Sequence, residues 1–205
     1  MDLLKILPLA FVMVAGPQII SSFFFATSPG WKKISAAYVC GAAISIALVV
    51  AASYLLRKGA GGNEKSGSGL TATDYVILAL LAFAIVRTYL KRNESEPPKW
   101  MGKLQSATPK TALVLGFLLL GFFPSDLITS ISIGGFLSEH GDPYWHVLPF
   151  LFLTLLLLSL PALTVLFLGE RGEAILPKVR DWMNTNSWIV SEVVLVFFIA
   201  IVLSG

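Results

Sequence analysis

Six apolar stretches recur along the chain, at about 4–26, 35–56, 74–90, 111–136, 146–168 and 188–203. Most reach the roughly 20 residues that a helix needs to cross a hydrocarbon core of about 30 Å. The third and sixth are shorter, about 16 residues, and need local bilayer thinning or snorkelling flanks to span. Lipid offers the backbone no hydrogen bonds, so a spanning chain folds as helices or as a closed barrel. The alternating strands of a barrel are missing from the pattern. With 56% hydrophobic and 13% charged residues and a mean hydropathy of +0.79, the chain does not read as an ordinary soluble domain. The expectation is an all-α polytopic membrane protein with six transmembrane helices.

The N-terminus begins like a signal peptide, with Lys5 ahead of an apolar run. That run continues to about Ala26 without an evident small-x-small cleavage site, so it reads as a retained first span. Cys40 is the single cysteine, which leaves no internal disulfide and no Cys-x-x-Cys redox pair. The net charge is +3, but the placement of Lys and Arg says more than the total. One side of the membrane carries four cations, Lys5, Arg57, Lys58 and Lys65. The other carries ten, among them Lys32, Lys91, Arg92 and Arg171. The positive-inside bias then puts the richer loops in the cytoplasm and both termini outside a plasma membrane. Basic residues are scattered along membrane edges, so no nucleic-acid partner is expected.

Within the fourth stretch, Gly121-Phe122-Phe123-Pro124-Ser125-Asp126 places a carboxylate and a proline deep in apolar sequence. Intramembrane carboxylates are costly and tend to mark a pathway or a switch. Pro124 removes a backbone donor, which lipid tolerates only where protein or water re-satisfies the freed groups. The first stretch holds an echo, Ala15-Gly16-Pro17-Gln18-Ile19-Ile20-Ser21-Ser22. Aligning Gln18 with Asp126 gives an offset of 126 − 18 = 108, which also pairs Ser21 with Thr129 and Ser22 with Ser130. Three stretches per half is an odd number, so the halves enter from opposite faces. That is the plan of an inverted repeat with its site near the midplane. The expected units are 1–92, a cytoplasmic linker at 93–110, and 111–205.

These motifs resemble the GAP family of the lysine-exporter superfamily, which includes the sulfolipid-addressing proteins. Ala15-Gly16-Pro17-Gln18 and Gly121 to Asp126 carry the likeness. So does a longer run from Gly169-Glu170-Arg171 through Pro177-Lys178-Val179-Arg180-Asp181-Trp182-Met183-Asn184-Thr185-Asn186-Ser187-Trp188. The resemblance implies a six-span protein that performs or assists export of lipids, glycolipids or related envelope components. Superfamily members also export amino acids and metal ions, which keeps a small solute open as the cargo.

Asp126 is the leading candidate for coupling, as a carboxyl that takes up and releases a proton. Gln18 is its neutral counterpart, with Pro17 and Pro124 breaking the two helices. Ser21, Ser22, Ser125, Thr129 and Ser130 supply hydroxyls, which in membranes serve more often as helix–helix glue than as ligands. Glu192, in the sixth stretch, is a candidate gate or vestibule residue. The segment from Glu170 to Trp188 suits either an interfacial helix or a solvated loop, with Trp182, Asn184, Asn186 and Trp188 as candidate lipid-headgroup contacts. Glu139-His140-Gly141-Asp142-Pro143-Tyr144-Trp145-His146 is the one run where a metal or acid–base site can be argued, and its spacing matches no strong motif. No nucleophile, phosphate-loop or dinucleotide signature appears. The chain is therefore expected to be a lipid exporter or flippase without cofactor or enzymatic activity. Its partners are membrane lipids and a lipid or glycolipid substrate, with a separate lipid exporter or a second copy of the chain as further possibilities. The alternatives are a small-solute exporter, a scaffold that addresses lipids to that separate exporter, and a membrane-bound enzyme acting on lipid through the His140 turn.

Overall fold

A computed structural model describes residues 6–7, 9–14, 16–59, 104 and 107–185. The third and sixth apolar stretches, most of the 93–110 linker, Asn186, Trp188 and Glu192 lie outside the described residues. Within them every regular element is helical, and no strand occurs. α1 is Leu9–Val14, α2 Pro17–Ala26, α3 Trp31–Gly59, α4 Pro109–Phe122, α5 Pro124–Glu139, α6 Leu148–Leu168 and α7 Glu170–Thr185; a 3-10 turn, Tyr144–Val147, leads into α6. α3, and α6 with its leading turn, are long and apolar enough to cross a membrane, and the bent pair α4–α5 makes a third if it is one span.

Proline sets where several of these helices begin. Pro17, Pro109, Pro124 and Pro149 each occupy a first turn, where the missing N–H has no partner to lose. Thr108 adds a side-chain cap, its hydroxyl accepting from the Thr111 amide at 3.3 Å. The same residue type that starts a helix also ends the continuity of an apolar run. The first stretch is interrupted before Pro17, where Gly16 adopts φ 139°, and the fourth bends by 65° at Phe123.

α3 is the spine of the fold, 29 residues and about 43 Å long at 1.5 Å per residue. α4 and α5 lie along it in the same direction. Gly41 meets the Leu113 carbonyl and Gly116 meets the Tyr38 carbonyl, so a methyl group at either would collide with backbone. Further along, the Ser53 hydroxyl donates to the Ile131 carbonyl at 2.8 Å, and at the end Arg57 pairs with Glu139. Close approach through small residues is how apolar helices associate where lipid provides no hydrophobic drive.

α6 packs against α1, α2 and α3. Its internal Pro161 removes one helical hydrogen bond, and close by the Ser22 hydroxyl donates to the Leu158 carbonyl at 2.5 Å. Gly169, at φ 55°, ends α6 and turns the chain into α7. The segment left open between helix and loop is a helix. It buries Leu176 against Phe23, Ala26 and Val165, and exposes Ile175, Val179 and Trp182. Asn184 and Thr185 belong to the end of α7.

Candidate functional site

Two broken helices meet at one polar contact. Gln18 Nε2 donates to Asp126 Oδ2 at 2.5 Å, across 108 residues of chain. Both side chains are 0% exposed. Each sits in the first turn of a helix that begins at a proline. Helix N-termini present unsatisfied amides and the positive end of the macrodipole, so this is where a buried carboxylate is least costly. The Ser125 hydroxyl adds a bond to Asp126 Oδ1 at 3.1 Å. Tyr38, on α3, donates to the Gln18 carbonyl at 2.9 Å and ties the first break to the spine.

Hydroxyls one turn further on repeat the correspondence. Ser21 donates to the Pro17 carbonyl at 2.7 Å and Thr129 to the Ser125 carbonyl at 2.8 Å. These i to i−4 bonds return a donor to backbone near each break, and such back-bonding also bends helices. The next pair diverges. Ser22 reaches α6, whereas the buried Ser130 hydroxyl makes no hydrogen bond among the described residues. Gln18 Oε1 is likewise without a partner. It lies 2.8 Å from where a Cβ on Gly16 would stand, so the glycine makes room for the amide.

The sequence therefore brought together Pro17, Gln18, Ser21, Pro124, Ser125, Asp126 and Thr129, and placed Ser22 and Ser130 beside them. Trp182 lies on α7, where it is 55% exposed. Two residues were missed. Tyr38 gave no signal beyond being an aromatic in an apolar span, and Arg57 read only as a loop cation until Glu139 was seen opposite it. In the His140 turn, His146 Nδ1 lies 3.2 Å from Asp142 Oδ1, while His140 Nδ1 faces the Phe136 carbonyl at 2.9 Å. Among the described residues no three metal-ligating side chains converge.

Apolar helices of crossing length around a buried polar pair fit a helical membrane protein. The chain belongs to the family described as Sap, sulfolipid-1-addressing protein, which matches residues 6–205. No curated protein and no solved structure matches it.

Proposed function

We propose that the protein exports or flips a lipid, glycolipid or amphipathic envelope precursor, with Asp126 and Gln18 as the coupling centre. The observation that carries this reading is the hydrogen bond between two first-turn side chains at the breaks of two helices. The family description points to lipid as the cargo. A carboxyl held between helix ends has two forms with different partners: neutral, it tolerates an apolar surround; ionised, it draws in a donor or cation. Either form can favour one of two arrangements of the broken helices.

The six-span inverted repeat, and with it membership of the GAP and lysine-exporter groups, is part of the same proposal. Its support is that each broken helix packs on the long helix of the other half, α2 on α6 and α5 on α3. α3 ends and α4 begins at opposite ends of a parallel pair, which favours one further crossing between Gly59 and Pro109. The unit boundaries at 92, 93–110 and 111 follow from that plan. In the proposed orientation both termini face out, so Ser66→Cys in a Cys40→Ala background labels from outside and Ser95→Cys does not. The reverse pattern inverts the orientation.

Purified protein in vesicles, given a lipid whose headgroup can be chemically quenched from one side, tests transport directly. Movement of lipid by the protein alone is the expected result. Lipid movement that needs added membranes containing another exporter makes the chain the addressing scaffold that the family description also accommodates. Uptake of amino acids or ions without lipid movement makes it a small-solute exporter.

A further inference from the structure

A second feature lies on the flank of the spine, apart from the polar pair. Beside the bend between α4 and α5, on the flank of α3, lies a lateral groove of about 580 Å³. Its walls are apolar: Leu48, Ala52 and Leu56 from α3, Phe122 from α4, Leu127 and Ile131 from α5. Leu56 is 74% and Phe122 64% exposed, so the groove opens sideways and is not sealed in the core. Among the described residues that line it, the single charged side chain is Arg57, at one end. From Ser45 at the inner end to Arg57 is twelve residues of α3, or about 18 Å of helix, close to the ~15 Å depth of one leaflet's hydrocarbon.

An apolar slot of leaflet depth with a guanidinium at its mouth matches one kind of occupant. We infer that this groove binds an acyl chain of an anionic lipid, with Arg57 holding the headgroup in competition with Glu139. The inference rests on the lipid reading above and deepens it by naming where the lipid docks and which headgroup charge is selected. Arginine suits the task because its fork can grip a sulfate, phosphate or carboxylate through two parallel bonds while its stem covers apolar surface. Glu139 Oε1 pairs with Arg57 Nη1, so a headgroup there competes with this carboxylate. Gly135 stands beneath the guanidinium, where a Cβ would lie 3.0 Å from Arg57 Nε, so the glycine gives the side chain its seat on α5. In the proposed orientation Arg57 lies toward the outer face, which makes the groove the place where exported lipid arrives or leaves.

Photoactivatable phosphatidylglycerol and phosphatidylcholine, each with the reactive group in the acyl chain, test this on the full-length protein in detergent. Crosslinks from the anionic lipid are expected to concentrate between Phe117 and Ile131. Arg57→Gln should lower phosphatidylglycerol capture about tenfold, the scale of a charge-assisted hydrogen bond, and leave phosphatidylcholine capture unchanged. Glu139→Gln, which frees the guanidinium, should raise anionic capture. Ala52→Trp, which fills the groove from its exposed rim, should lower capture of both lipids while the unfolding midpoint stays put. Crosslinks spread evenly round all lipid-facing helices would overturn the inference. So would anionic capture indifferent to Arg57→Gln, or an Ala52→Trp variant that captures both lipids normally. The readout is binding, so a failure of the vesicle transport assay leaves a positive crosslinking result standing as a scaffold's lipid site.

Discussion

The breaks before Pro17 and Pro124 place the same device in two different ways. Before Pro17 the chain turns through Gly16 at φ 139°, a conformation that costs an L-residue strain. Before Pro124 it turns through Phe123 at φ −67° and ψ 131°, extended backbone open to any side chain. The first break presents an uncharged amide and the second a titratable carboxyl. Hydroxyls follow both at matching positions, yet Ser22 holds α6 while Ser130 holds nothing among the described residues. The difference teaches that one break is fixed by backbone geometry and by its bond to a neighbouring helix. The other turns through ordinary extended backbone, carries the carboxyl, and is held to α3 by the Ser53 bond to the Ile131 carbonyl.

The largest effect should separate the two backbones. Gly16→Val forces a branched side chain into the positive-φ region and toward Gln18 Oε1, at a cost of about 1–3 kcal/mol. Phe123→Val meets no such strain and should stay within about 1 kcal/mol of wild type. Thermal unfolding in detergent reads both. Equal losses at the two positions would erase the asymmetry.

Next comes the pair itself. Gln18→Leu removes a donor from a buried carboxyl and should destabilise by about 1–3 kcal/mol, more than Ser125→Ala, whose bond to Asp126 is longer. In a double-mutant cycle with Asp126→Leu the losses should fall short of additive by about 1 kcal/mol. Strict additivity would mean that the two side chains touch without supporting each other.

The smallest effect sharpens the contrast between the hydroxyls. Ser22→Ala loses an interhelical bond and should cost about 0.6 kcal/mol, the usual scale for such bonds in lipid. Ser130→Ala removes an unpartnered buried hydroxyl and should be neutral or slightly stabilising. A larger loss at Ser130 would point to an occupant or partner that this hydroxyl serves.

Much of the site was readable in advance because its signals are local and expensive. Asp126 and the two prolines stand out against apolar neighbours, and the 108-residue offset links Gln18 to its partner. Helix boundaries were less legible. Pro17 and Pro124 mark where two stretches break, but a glycine and a proline in apolar sequence do not say how far the chain turns. The parallel packing of α4 and α5 on α3 was hidden as well. It depends on Gly41, Gly116 and Gly134 approaching backbone across helices, and a glycine looks the same whether it packs or merely fills. Arg57 and Glu139 are 82 residues apart on stretches with no shared motif, so only the folded spine brings them together.

Charge at Asp126 is the centre of the account, and the pH profile of lipid movement tests it most directly. Asp126→Asn keeps the shape and can still bond the Gln18 amide, but it cannot titrate. Wild-type protein and this variant should be reconstituted in the same vesicles and assayed across pH 5 to 9 (a range of about four units, wide enough to include a displaced carboxyl). Lipid movement should change with pH for wild type, and the folded, inserted Asn variant should show residual movement that is flat. Full movement by the Asn variant with the wild-type pH dependence would contradict it, and would leave Asp126 as a residue that merely satisfies a broken helix.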